Sequence, residues 1–175
     1  AATMAMSMSL TAFGALYDPD GNLITSQPDT TDNKYDDVKT IKISKIYEAT
    51  NAETTSPAET FDFSIKGVNV TNAAAGVTID TYGLPTVSDV TYESGDAGSN
   101  NKTKHIVIEL PSYGSVGIYT YEISEAVGNT AGVTYWNDSS DANKIQLVVT
   151  VIQDGDGKTR VAAVHTGETV TDDNG

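Results

Sequence analysis

The sequence predicts an all-β protein, an antiparallel β-sandwich related to immunoglobulin-like folds, with an N-terminal arm or hairpin. Three observations support this fold class. Thr, Val, Ile and Tyr are abundant, and these residues favour half-buried pleated surfaces. Short segments alternate apolar and polar residues with a period of two, and turn residues separate them at regular intervals. No segment keeps a helical period over three turns.

The strand-like segments are spaced as they are in a sandwich. Turn sequences divide them: residues 96–101 separate two strands, and the Asp-Gly-Asp-Gly run at 154–157 makes a hairpin of the last two. The predicted strands are residues 39–48, 59–66, 76–82, 87–93, 103–110, 117–125, 133–136, 144–152 and 158–166.

Residues 1–38 are predicted to form an arm or signal-peptide remnant, then a hairpin over 15–26 and a polar linker over 26–38. Two interpretations of the first segment remain open. It is small, apolar and uncharged, like the end of a signal peptide, although the basic start of such a peptide is missing. Its Met4, Met6, Met8 and Leu10 also alternate with small residues, which is the pattern of a strand. The sandwich domain is predicted over residues 39–175.

The composition argues against several classes of function. The formal net charge is −14. Nucleic acid binding needs clustered Lys and Arg, so no nucleic acid partner is expected, and an anionic membrane surface would repel the chain. Such a charge suits a protein outside the cell, where mutual repulsion keeps it in solution. No stretch is apolar for long enough to span a bilayer, so membrane insertion of the mature domain is not expected.

The sequence offers no recognisable catalytic or cofactor chemistry. His105 and His165 are the only histidines, and no group of residues has metal-ligand spacing. A nucleophile elbow, a phosphate loop and a dinucleotide fingerprint are missing. There is no cysteine, so the robustness of this domain must come from something other than disulfides. We therefore expect neither an enzyme nor a metal or cofactor.

Two charged residues lie on faces that should be apolar. In the strand 39–48, Lys45 alternates in phase with Ile41, Ile43 and Tyr47. In the strand 117–125, Glu125 alternates in phase with an apolar and aromatic set. A lone buried charge costs several kcal/mol, so one residue of each sign suggests a buried pair. The pattern alone also allows both to reach solvent at their strand ends.

From Thr40 onward the chain resembles the streptococcal pilin isopeptide linkage domain, found in backbone pilins of Gram-positive bacteria. Matching segments are Ile-Lys-Ile-Ser-Lys at 41–45 and Phe-Asp-Phe-Ser-Ile at 61–65. The most specific part is Gly-Ile-Tyr-Thr-Tyr-Glu-Ile-Ser-Glu at 117–125, which Gly-Val-Thr-Tyr follows at 132–135. The resemblance covers about three quarters of the chain and implies the same fold.

In that family a Lys on the first strand is joined covalently to an Asn on the last strand, and a Glu between them assists. The resemblance assigns the Lys to Lys45 and the Glu to Glu125. The acceptor Asn is expected beyond Gly175, because residues 171–175 look like a turn that precedes the family's last strand. The domain is therefore expected to lack that strand in this chain.

The resemblance also implies a function: a structural subunit of an extracellular bacterial pilus or surface fibre. Other pilin subunits would be its partners, with residues 4–13 as a candidate donor strand. Sortase is a further candidate partner, although the chain contains no Leu-Pro-x-Thr-Gly signal. The alternative is a ligand-binding adhesin module on the same scaffold, which would carry a concave aromatic and polar patch on its loops.

Overall fold

The computed structural model describes residues 2–3, 38–51, 53–136, 144–153 and 157–169, and all the regular elements within them are β-strands. The strands are β1 (Ala2–Thr3), β2 (Thr40–Ile46), β3 (Glu48–Ala49), β4 (Glu59–Phe61), β5 (Phe63–Thr71), β6 (Thr86–Val87), β7 (Val90–Tyr92), β8 (Thr103–Glu109), β9 (Gly117–Glu125), β10 (Lys144–Gln153) and β11 (Thr159–Thr169).

Two larger sheets enclose the core. One has the order β11-β10-β9-β5 and the other the order β2-β8-β6, and two short pairs, β4-β7 and β1-β3, complete the described strands. Every strand pair is antiparallel. The predicted all-β antiparallel sandwich is therefore confirmed.

The core consists of the inward-facing residues of both sheets. On β9 every second residue from Gly117 to Glu125 is buried, and β10 alternates in the same way. Complete burial of an Ile or Leu side chain stabilises the fold by about 1.5–3 kcal/mol. Fully buried aliphatic residues from both sheets are Ile106, Ile108, Ile123, Ile145 and Leu147.

Two of the predicted strands are wrong. Residues 76–82 form turns, because the Thr81 hydroxyl accepts a hydrogen bond from the Thr78 amide at 2.8 Å and competes with strand pairing. Residues 133–136 form no strand either. The Val133 amide donates to the Thr130 carbonyl at 3.1 Å, which closes a turn there.

Two other predicted strands are interrupted. The predicted strand 87–93 divides into β6 and β7 at Ser88, whose hydroxyl accepts from the Val107 amide at 2.9 Å. The predicted strand 59–66 divides at Asp62, and its second part continues to Thr71. The hairpin over 15–26 and the linker over 26–38 lie outside the described residues. The division of the chain into residues 1–38 and 39–175 therefore stays a prediction.

The interruption at Asp62 moves the chain from one strand pair to another. β4 pairs with β7, whereas β5 pairs with β9 in the four-stranded sheet. The Asp62 carbonyl accepts from the Ala126 amide at 2.8 Å, and the Phe63 amide donates to Asp89 Oδ1 at 3.0 Å. Phe61 and Phe63 both remain buried on either side of the crossing.

Candidate functional site: a buried lysine–glutamate pair

Lys45 and Glu125 meet across the sandwich. Lys45 lies on β2 of the three-stranded sheet, and Glu125 is the last residue of β9 in the four-stranded sheet. Lys45 Nζ is 2.6 Å from Glu125 Oε2, and both side chains are 0% exposed. Of the two possibilities that the alternation left open, the structure shows the buried pair, and neither residue reaches solvent at its strand end.

Aromatic rings enclose the amine of Lys45. Its Nζ lies 3.8 Å from the centroid of the Phe61 ring and 5.7 Å from that of Phe63. The Tyr92 hydroxyl donates to the Lys45 carbonyl at 2.6 Å, which fixes the backbone of β2 at this point. Ring faces attract a cation but cannot replace water as hydrogen-bond acceptors. The amine is therefore held in place within a largely apolar pocket.

Burial changes the acid–base properties of both members of the pair. It lowers the pKa of Lys45 to about 8, although the negative charge of Glu125 works in the opposite direction. It also raises the pKa of Glu125, against the stabilising effect of the nearby Lys45 amine. Both shifts favour the uncharged forms, because a low-dielectric interior penalises charge. A neutral amine is a nucleophile, and a protonated carboxyl is a proton donor.

Glu59 is a third buried charged residue near this pair, and the sequence interpretation missed it. It lies on β4, is 9% exposed, and accepts a hydrogen bond from the Tyr135 hydroxyl at 2.7 Å. The signal was available, because Glu59 alternates in phase with Phe61 and Phe63. This is the same pattern that identified Lys45 and Glu125.

Three further features of the described residues concern metal ions, membranes and cavities. They contain no group of three His, Cys, Asp or Glu residues that could hold a metal ion. A search of the described residues for a helix long and apolar enough to cross a bilayer found none. A cavity of about 350 Å³ lies beside β3, and the residues that line it have small side chains, six of them Thr, Ser or Asn. That lining provides no aromatic platform of the kind expected for an adhesin. The lining residues are Ala49, Thr50, Asn51, Thr54, Thr55, Ser56, Pro57, Ser94, Ala131 and Gly132.

The family model FctA, described as the Spy0128-like isopeptide containing domain, matches residues 38–174. No curated protein and no solved structure matches the chain. The matched range contains the whole described sandwich apart from β1. The chain belongs to the family of Spy0128-like isopeptide containing domains, which are pilin-type structural domains of Gram-positive cell-surface fibres.

Proposed function

We propose that this chain is a structural subunit of an extracellular pilus or surface fibre and that Lys45 forms an intramolecular isopeptide bond with an Asn. One observation supports this most strongly: the only lysine amine that is fully buried among the described residues lies 2.6 Å from a fully buried carboxyl. Neither side chain is needed to fill the core, since apolar side chains would do so without the penalty of burying charge.

The proposed reaction balances without a co-reactant. The neutral Lys45 amine attacks the side-chain carbonyl carbon of the acceptor Asn, and a new C–N bond forms. The bond from that carbon to the Asn side-chain nitrogen breaks, and the nitrogen leaves as ammonia. Glu125 holds the proton that polarises the carbonyl, and it then carries the amine proton to the leaving group. The family resemblance implies that the acceptor Asn belongs to the last strand of the domain.

The folded sandwich supplies most of what the reaction needs. Groups that are held in reactive geometry reach effective concentrations far above those of free reactants. The reaction occurs once per molecule, so it is a maturation step and not an enzymatic turnover. The sequence contains no cysteine, and a covalent bond between strands would provide the robustness that disulfides give to many extracellular domains.

Intact-mass spectrometry tests the proposal. The polypeptide extended by an Asn-bearing last strand should weigh one ammonia less than its sequence, and peptide mapping should join Lys45 to that Asn. Lys45→Ala and Glu125→Ala should each restore the full mass. Glu122→Ala is the matched control, because Glu122 is on the same strand but faces the other way, and it should keep the ammonia loss. A full mass in the parent protein would contradict the proposal.

Assembly through the N-terminal arm is a second part of the proposal. Ala2–Thr3 pair antiparallel with Glu48–Ala49, so the first residues of the chain can add to the strand that continues β2. We infer that residues 4–13 reach a neighbouring subunit in the same manner and give a head-to-tail homopolymer. Deletion of residues 1–14 should abolish filaments while the sandwich still folds. Filaments that persist after the deletion would refute strand donation and leave sortase linkage as the route.

A further inference from the structure

Glu59 and Glu125 are linked through two consecutive residues. The Tyr135 hydroxyl donates to Glu59 Oε1 at 2.7 Å, and the next residue, Trp136, directs its amide toward Glu125 Oε1 at 3.4 Å. The Tyr135 ring also packs against Phe61, with 5.6 Å between the ring centroids. A displacement of Tyr135 would therefore also move the Trp136 amide away from the Glu125 carboxyl.

The segment from 126 to 136, here named the 126–136 loop, is built closely around that hydroxyl. The Tyr135 hydroxyl accepts from the Thr130 amide at 3.3 Å while it donates to Glu59. Gly128 passes so close that a Cβ atom would lie 2.3 Å from the Tyr135 hydroxyl oxygen. The Ala126 amide, at the start of the loop, donates to the Asp62 carbonyl at 2.8 Å. Such close contacts leave the Tyr135 ring little freedom to move.

The charge of Glu59 also acts on the pair. It works against burial at Lys45 by raising the pKa of the amine, and it adds to the effect of burial that raises the pKa of Glu125. Both influences have the same sign because a nearby negative charge favours every protonated form. The described titratable and charged groups around the site are Lys45, Tyr47, Glu59, Tyr92, Asp96, Lys104, Glu125 and Tyr135.

We propose that Glu59 is a positioning residue for the Lys45–Glu125 pair. Its hydrogen bond with Tyr135 holds the 126–136 loop against Glu125, and its negative charge acts on both members of the pair. This inference rests on the proposed isopeptide chemistry. Glu59 has two roles in this proposal, one through its charge and one through its hydrogen bond. One variant can remove the charge and keep the hydrogen bond, and another can remove the hydrogen bond and keep the charge.

Two variants separate these roles. Glu59→Gln removes the charge and keeps an oxygen that accepts from Tyr135, whereas Tyr135→Phe removes the hydrogen bond and keeps the charge. Asp62→Asn is the matched control, since it removes an exposed charge three residues away. The Glu125 carboxyl-carbon NMR signal should titrate roughly one pH unit lower in Glu59→Gln, an estimate from Coulomb interaction at protein-like dielectric constants. It should titrate as in the parent in Asp62→Asn.

The rate of ammonia loss is the second readout, measured in the polypeptide extended by its Asn-bearing strand. Tyr135→Phe should slow the reaction roughly tenfold or more, because small displacements of reacting groups have large effects on rate. Glu59→Gln should keep the maximal rate but move the whole pH–rate profile to lower pH. A merely structural role of Glu59 would change stability without moving that profile.

Each of the two roles of Glu59 can be refuted by a separate measurement. A Glu125 titration in Glu59→Gln that matches Asp62→Asn would overturn the role of the charge. A parent-like rate in Tyr135→Phe would overturn the positioning role, even if Glu59→Gln did not fold. If the parent protein loses no ammonia at all, the isopeptide proposal fails, yet the NMR titration still decides whether Glu59 controls the protonation of Glu125.

Discussion

Glu122 and Glu125 lie on the same strand, and both contact lysine amines, but they face opposite sides of the sheet. Glu122 Oε1 is 2.8 Å from Lys66 Nζ and 2.9 Å from Lys144 Nζ, with side-chain exposures of 18%, 62% and 30% for Glu122, Lys66 and Lys144. Glu125 Oε2 is 2.6 Å from Lys45 Nζ, and neither side chain is exposed. The contact distances are alike, and the environments are not.

The environment reverses the sign of the pKa shift. Partial burial alone would raise the pKa of Glu122, but its contacts with Lys66 and Lys144 lower it. Burial raises the pKa of Glu125 in spite of its contact with Lys45. The stabilising contribution of Glu122 is therefore lost as the pH falls through its folded pKa, and that of Glu125 is lost as the pH rises through its folded pKa. A short Lys–Glu distance thus does not by itself define a structural ion pair.

The largest expected difference between the two sites is in the free energy of unfolding. Glu125→Ala leaves the buried Lys45 amine without its carboxyl partner, which should destabilise the chain by about 3–5 kcal/mol. Glu122→Ala removes partly exposed ion pairs and should change stability by about 0–1 kcal/mol. Urea unfolding of residues 1–175 measures both. Equal losses in the two variants would show that burial does not distinguish the sites.

The pH dependence of stability should identify Lys45 as the buried base. Burial lowers its folded pKa to about 8, so its contribution is present above its unfolded pKa and is lost as the pH falls through about 8. We compare the free energy of unfolding of the parent with that of Lys45→Met at two pH values. The difference between them should shift by about 2 kcal/mol in favour of the parent from pH 7 to pH 9.5. Lys66→Met, which removes the exposed amine, should follow the parent profile. Parallel profiles for the parent and Lys45→Met would contradict the shift.

Overpacking beside the buried site should have a smaller effect. In Gly128→Ala the new methyl group would lie 2.3 Å from the Tyr135 hydroxyl oxygen, and overpacking of this kind costs about 1–3 kcal/mol. Gly167→Ala is the control, because its Cβ would meet nothing within 4 Å and should change stability by less than about 0.5 kcal/mol. The midpoints of thermal unfolding of Gly128→Ala and Gly167→Ala measure the difference. Identical midpoints would mean that the 126–136 loop shifts to accommodate the added methyl group without a loss of stability.

Salt should produce the smallest difference. Salt screens interactions between exposed charges over a Debye length of about 10 Å at 0.1 M and about 3 Å at 1 M, but it screens buried pairs much less. The stability lost in Glu122→Ala should therefore disappear at high salt, whereas that lost in Glu125→Ala should persist. The measurement is urea unfolding at two ionic strengths. A loss in Glu125→Ala that is equally sensitive to salt would indicate that solvent reaches the pair.

Strong alternation made parts of the fold and the site predictable. On β2 and β9 it placed Lys45 and Glu125 inside, and the structure brings them together. The prediction from alternation was wrong at 76–82. Val77 and Ile79 have the spacing of a strand, but the Thr78 and Thr81 side chains stabilise turns there. Period-two patterns identify faces but not partners, so neither the strand order nor the crossing at Asp62 could be predicted.

A residue can also obey the pattern and still be overlooked. Glu59 and Phe61 share the inward face of β4, and Glu59 fits the alternation of the predicted strand 59–66 as its first residue. Tyr135 lies in a loop and not in a strand, and its hydrogen bond with Glu59 joins residues 76 positions apart in the sequence. Tertiary contacts of this kind depend on how the loops return to the core, which local patterns do not encode.

The most direct test of the Lys45–Glu125 assignment is an experimental structure of the polypeptide that includes the Asn-bearing last strand. The decisive quantity is the distance from Lys45 Nζ to the side-chain carbonyl carbon of that Asn. We predict an amide bond of about 1.33 Å, with Glu125 beside it. A separation of about 3.5 Å, which is an ordinary van der Waals contact, would contradict this account and leave Lys45 and Glu125 as a structural ion pair.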